Sequence, residues 1–447
     1  LTLNVWAPPA ADRRPVLVWF HGGSFMTGSA SMPSYDGARL AAEQGVVLVS
    51  ANYRVGALGF APMAGWANVG LLDQRLALEW VRDNVEAFGG DPRRVTVFGE
   101  SAGGGSIVHL LSAPSCRALV GRAIVQSGAT ELTIDADQAG AVADRLRSAL
   151  AGADPFTAPV DAVLAAQSVV LADLAAARNM MAFHPTVDGA LIPVSPPEAL
   201  AGAAAEGIDL LIGTTADEMT PFLDPASWEL TADRLDRRVA RYLALRGVEG
   251  AGCEALLAAY HDGSPSRSWA ALRTDAEMWL PMVAAAEAHL SGNAQSRAGN
   301  AEALSGNAEA LSGNAQSPAG AHDAPNPART FVYRFDWPAA PPLDRLGACH
   351  GIDIPFTFGT LDRCGWAEFV GADDGAVALS AAIGEAWAGF AATGDPSTDR
   401  LGPWPGYDTT TRCTMVLDRH PGVADDPSGF RRRAWTAAIP SSYTSGK

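Results

Sequence analysis

A serine set between two glycines, directly after a buried strand, is the feature that most limits what this chain can become. Gly99-Glu-Ser101-Ala-Gly103 follows the apolar run Val95-Thr-Val-Phe98, and a helix-compatible stretch at 104–111 comes after it. The glycines let strand and helix approach without a Cβ clash. The serine is left on a sharp, strained turn with its hydroxyl exposed. The start of the following helix favours negative charge developing beside it. The pattern predicts a nucleophile elbow in an α/β fold, with Ser101 as the nucleophile of an acyl transfer.

The remainder of the chain suits that fold. Short apolar runs predict strands at 16–20, 46–51, 95–98, 123–126, 210–213 and 331–335, with a further strand-like segment at 1–6. Runs without alternation, such as Val-Val-Leu-Val at 46–49, fit parallel strands covered on both faces. Helical patterns lie between them at 73–88, 135–151, 159–177, 275–290 and 377–393, and Leu72, Leu76, Trp80 and Val81 are expected on the inner face of the first. Strands alternating with helices argue for a mostly parallel sheet flanked by helices, built as one catalytic domain over 1–447. Within it, residues 291–324 read as a low-complexity flexible insertion. A seven-residue unit around Gly-Asn-Ala recurs there, with glycines at 292, 299, 306 and 313. Each unit lacks an apolar seam, which excludes a coiled coil.

Bulk properties exclude several function classes. The formal net charge is -17 and no basic run occurs, so neither nucleic-acid binding nor a polybasic membrane anchor is expected. Apolar runs are interrupted by Gly, Pro or charge, so no membrane span is expected. The five cysteines form no CxxC pair, which signals neither a zinc site nor a disulfide framework and leaves one disulfide open. The chain opens at Leu1 in a strand-like segment with no visible signal peptide. The native start is expected upstream, and neither compartment nor oligomeric state is read from the sequence.

An acyl-transfer serine needs a base to take its proton and a carboxylate to orient that base. In this fold the chain order is serine, acid, histidine. The buried run Leu210-Leu-Ile-Gly ends in Asp217-Glu218, which places two candidate acids at the carboxyl end of a strand. Among the eight histidines, His261 and His350 follow the acid and sit in loops. His350, after the run at 331–335, has the position of a last-strand base. Upstream, Val16–Phe20 leads into His21-Gly22-Gly23-Ser24-Phe25. Such a turn exposes backbone N–H groups, and Gly23, Ser24 and Ala102 are the expected donors to an oxyanion. Histidine catalysis would give activity that rises with pH near or somewhat below neutrality. The reaction calls for no metal or organic cofactor. Phe25, Phe222 and Phe356 lie at motif ends and are candidates for an apolar substrate pocket.

These segments together resemble the type-B carboxylesterases. The resemblance runs through Leu3-Asn-Val-Trp-Ala-Pro8, His21-Gly-Gly, Asn52-Tyr-Arg-Val-Gly-Ala-Leu-Gly-Phe60, Gly99-Glu-Ser-Ala-Gly-Gly104, Gln126-Ser-Gly128, Asp217-Glu218, His350-Gly-Ile-Asp353 and Pro355-Phe-Thr-Phe-Gly359. It implies an α/β-hydrolase fold and hydrolysis of a small-molecule carboxylic ester. It implies Ser101 as nucleophile, His350 as base and Glu218, rather than Asp217, as the acid. It further implies that Ser127 hydrogen-bonds near the triad and that Glu100 and Asp353 flank the histidine. Three positions depart from the family pattern. Ser24 replaces its third oxyanion glycine, Met219 replaces the glycine after the acid, and the family's N-terminal strands before Leu1 are absent from this sequence. Some members of the family are adhesion or binding modules that have lost the triad; here all three residues stand.

Overall fold

The computed structural model describes residues 1–9, 12–62, 67–128, 132–176, 182–202, 206–261, 263–310 and 328–439. Nine strands form a single sheet: β1 Leu3–Trp6, β2 Arg14–Phe20, β3 Val47–Ala51, β4 Gly90–Glu100, β5 Arg122–Gln126, β6 Asp209–Thr215, β7 Thr330–Phe335, β8 Cys413–Leu417 and β9 Gly422–Asp425. Their spatial order is β1-β3-β2-β4-β5-β6-β7-β8-β9. Every join from β3 to β8 is parallel, and β1 and β9 close the two edges antiparallel. The longer helices are α1 Val69–Asn84, α2 Ala102–Ser112, α3 Ala136–Ala149, α4 Val160–Ala176, α5 Ala232–Ala244, α6 Ala251–Tyr260, α7 Pro265–Thr274, α8 Leu280–Ala310, α9 Asp374–Thr393 and α10 Gly429–Ala438.

Alternate residues of each strand feed opposite faces of the sheet, as a period of two demands. Val16, Val18 and Phe20 face one layer, where Leu71, Leu78 and Val81 of α1 and Ile107 and Leu111 of α2 pack. Leu17 and Trp19 face the other, against Ile383, Trp387 and Phe390 of α9. Burying such a side chain contributes about 1.5–3 kcal/mol. A third core, around Leu235, Val239, Trp269 and Trp435, joins α5, α6, α7 and α10. Among the described residues, α9 alone is long and apolar enough to cross a membrane by length and composition, and here it serves as the core helix beneath the sheet.

Several expectations need correction. The inner face of α1 is turned by about one residue. Leu71, Leu78 and Val81 are buried, whereas Leu76 is 53% exposed. The shift brings polar Asp73 and Gln74 inside, where Asp73 accepts from Arg54 and the Gln74 amide donates to Ser106 Oγ at 3.0 Å. The Gly-Asn-Ala repeat does not begin as a loop, because α8 continues through it to Ala310. Helix propagation from an existing helix is favourable, and the Ala of every unit, joined by Gln and Arg or by Glu and Leu, outweighs one glycine in seven. Gly292 and Asn293 belong to the packed part: Asn293 is buried and its amide donates to the His289 carbonyl at 3.0 Å. The repeat beyond 310 lies outside the described residues up to 327. All five cysteines are free thiols.

Candidate active site

The turn at Ser101 joins β4 to α2 with φ 57° and ψ -124°, a conformation that strains any residue with a Cβ. Packing forbids relaxation. A Cβ on Gly103 would stand 2.0 Å from the Phe20 carbonyl oxygen, and one on Gly99 would stand 2.7 Å from the same atom. Gly103→Ala is therefore expected to destabilise the fold by more than about 3 kcal/mol, read as a lower denaturation midpoint and poor soluble yield. A parent-like midpoint would refute this account of the turn.

Two loops from distant parts of the chain meet beside the turn. The loop after β6 carries Asp217 and Glu218, and the loop after β7 carries His350. Asp217 straps them together: its N–H donates to the Ala348 carbonyl at 2.9 Å, and its carboxylate accepts from the Ala348 N–H at 3.0 Å. Glu218 is fully buried. Its Oε1 accepts from the Thr215 N–H at 2.8 Å, and its Oε2 lies 2.5 Å from His350 Nδ1. His261, the other loop histidine, sits on the surface near Asp236 at 3.6 Å. Of the two acids left open by the sequence, Glu218 thus reaches the imidazole and Asp217 ties the loops.

The other imidazole nitrogen, Nε2, lies 3.2 Å from Glu100 Oε1, immediately before Ser101 in the chain. Ser101 Oγ and His350 make no direct hydrogen bond. Catalytic bonds of this kind are often long before substrate binds and tighten in the reacting complex. Asp353 lies one step further out, held by the Gln126 amide at 2.9 Å. Gln126 also donates to Thr357 and accepts from the Trp387 indole. The sequence reading does not single out this bridge as a site feature, although a polar residue ending a buried apolar strand is a readable signal.

Three carboxylates around one imidazole set its charge. Burial pulls the His350 pKa down, but Glu100 and Glu218 pull it up more strongly, to about 9. Burial raises Glu100 to about 8, opposed by His350 and aided by Asp353 and Glu218. Burial likewise raises Asp353 to about 6, against the bond from Gln126.

The glycine loop after β2 sits against the elbow. A Cβ on Gly22 would lie 3.0 Å from Ser101 Cβ. Gly23 has φ 116° and Ser24 has φ 55°, and the turn is closed by Met26 and Thr27 donating to the Gly23 carbonyl. The N–H groups of Gly23, Ser24 and Ala102 have no protein acceptor among the described residues, which leaves them able to serve an anion. Ser127 departs from expectation. Its backbone, at φ 48°, donates to the Gly213 carbonyl at 2.8 Å, and its buried hydroxyl reaches none of Ser101, Glu218 and His350. The pocket candidates divide. Phe25 is fully buried edge-on to Phe60, and Phe356 is fully buried against Phe335, so both are core residues. Phe222 is 52% exposed and meets the His350 ring edge-on at 5.3 Å.

Comparison with known proteins places the chain in a family. Residues 1–430 match the carboxylesterase family. The chain is 36% identical to the para-nitrobenzyl esterase of Bacillus subtilis (strain 168), over 97% of this chain and 82% of that protein. It is 32% identical to the phenmedipham hydrolase of Pseudarthrobacter oxydans, over 95% of this chain and 80% of that one. Among solved structures, a carboxylesterase from Geobacillus stearothermophilus superposes with a TM-score of 0.78 at 32% identity, over 97% of this chain and 85% of that chain.

Proposed function

The chain belongs to the carboxylesterase family and is a carboxylic ester hydrolase, and on that premise we propose that hydrolysis runs through an acyl-enzyme on Ser101 with His350 as base and Glu218 as orienting acid. The observation that carries this reading is the 2.5 Å contact between Glu218 and His350 Nδ1, with Nε2 turned toward the elbow. Glu218 holds the proton on Nδ1, which leaves Nε2 free to accept the Ser101 proton as the hydroxyl attacks the ester carbonyl. The tetrahedral oxyanion rests on the N–H groups of Gly23, Ser24 and Ala102, each donor being worth about 2.7–4 kcal/mol of transition-state stabilisation. His350 then protonates the leaving alcohol, and water releases the acid by the same steps. We assign the whole chain to one catalytic domain, in keeping with a single sheet that runs from Leu3 to Asp425.

Labelling with a fluorophosphonate and mapping the adduct tests the assignment. Modification at Ser101 is expected; modification elsewhere, or none on a folded chain, would overturn it.

The charge cluster also changes the expected pH dependence. His350 works as a base only when neutral, and the surrounding carboxylates keep it protonated to higher pH. The rising limb of kcat/KM therefore belongs at about 8 to 9 rather than near neutrality. Removing one carboxylate beside the imidazolium lowers its pKa, so Glu100→Gln should move the limb to lower pH. A pH–rate profile of parent and variant decides this, and a limb that stays put or rises in the variant contradicts it.

A further inference from the structure

Helix α5 carries Arg234, Arg237, Arg238 and Arg241, the i, i+3, i+4 and i+7 positions of one helical face. The opposite stripe, Leu235, Val239 and Leu243, is buried in the third core. Like charges at this spacing cost about 0.2–0.5 kcal/mol per pair, and here such pairs are kept in a chain of net charge -17. Among the described residues, one of the four is neutralised: Arg238 bonds to Ser227 Oγ and lies 3.7 Å from Asp224. Arg273, on the facing α7, is already held by Glu277 through two bonds of 2.8 Å. Arg234, Arg237 and Arg241 pair with no carboxylate among the described residues.

These guanidiniums do not stand on a flat surface. With α7 and the segment around Ser227 they line a groove of about 790 Å³ whose floor and wall include Tyr242, Leu245 and Trp269. Leu245 is 77% exposed. The volume suits a small molecule, an apolar wall suits an apolar body, and guanidiniums without a carboxylate suit an anionic oxygen head. We propose that this groove is a binding site, separate from the catalytic crevice, for an amphipathic organic anion such as a medium-chain carboxylate.

The site is linked to the catalytic loops through its walls. Its Asp224 end lies two residues after Phe222, which meets His350, and Arg273 precedes Thr274, whose hydroxyl accepts from the Met219 N–H at 3.1 Å. The proposal itself concerns binding and does not depend on the roles assigned to Ser101, Glu218 and His350.

Calorimetric titration of the full chain with octanoate tests it, with 1-octanol and inorganic phosphate as the neutral and purely ionic probes. Octanoate should bind at least about tenfold more tightly than either, as expected when charge-assisted bonds and apolar contact act together. Arg237→Gln with Arg241→Gln should weaken octanoate about tenfold or more and leave kcat/KM for p-nitrophenyl acetate at the parent value. Arg234→Gln alone is a second, milder variant with the same expected direction. Binding should also weaken as sodium chloride is raised. Octanoate binding that is absent, or undiminished in both variants, would overturn the proposal. So would phosphate or octanol that binds as tightly as octanoate.

Discussion

Ser101→Ala is expected to lower kcat for ester hydrolysis by about a millionfold, the loss typical when the nucleophile of such a triad is removed. The oxyanion donors and the crevice remain, so a residual rate above that of water should persist. The protein should fold as before, because alanine meets the same backbone conformation at φ 57° that serine does. Ser101→Gly separates the two roles of this position. Glycine accepts the left-handed conformation without strain, so this variant should be equally inactive yet more stable than the parent by about 1 kcal/mol. Steady-state kinetics with thermal melts of the three proteins measure both effects. An active alanine variant would remove Ser101 from the mechanism, and a glycine variant no more stable than the parent would deny the strain.

Glu218→Gln should follow with a fall in kcat of about 10³–10⁴-fold at nearly unchanged KM. The local bonds dictate why. Glu218 Oε1 accepts from the Thr215 N–H at 2.8 Å, so a glutamine keeps its carbonyl oxygen there. Its NH₂ group is then turned toward His350 Nδ1 and donates to it. The imidazole must place its proton on Nε2, where it can no longer accept from Ser101. Asp217→Asn, which touches the Ala348 strap and not the imidazole, should cost far less in kcat and more in stability. Equal losses in the two variants would show that Glu218 acts by holding the loops together.

Much of this arrangement is legible in the sequence because it is local or ordered. Continuous apolar runs mark β2 to β7 within a few residues. The elbow is readable because its glycines flank the serine at a fixed spacing, although the contacts that demand them come from the Phe20 carbonyl on β2. Strands β8 and β9 are hard to read because they are short. Thr414 interrupts one, and Asp425 and the surrounding turn residues obscure the other. The face of α1 is misread because Asp73 and Gln74 turn inward to partners outside the helix, which a periodicity argument counts as solvent-facing. The π-helical turn Asp275–Trp279 immediately before α8 leaves no compositional mark. At the site, chain order locates His350 and the pair Asp217-Glu218, and the resemblance selects Glu218 of the two. The resemblance puts Glu100 beside the histidine, but its 3.2 Å approach to Nε2 depends on how the loops come together, and it moves the expected activity limb to higher pH. Phe25 and Phe356 mislead for a simple reason: an aromatic residue next to a motif is as useful for holding the loop from below as for lining its mouth.

The parallel sheet separates chemistry from sequence drift. Ser101, Glu218 and His350 all lie beyond the carboxyl ends of their strands, while the Gly-Asn-Ala units lead into the opposite, amino end of β7. Because α8 runs through the first units as helix, gaining or losing one unit of seven shifts the phase of the downstream turns by only about 20°. Adding or removing a unit within the helix therefore leaves helical register nearly unchanged. The repeat thus enters the sheet from the end opposite to the one that carries Ser101, Glu218 and His350.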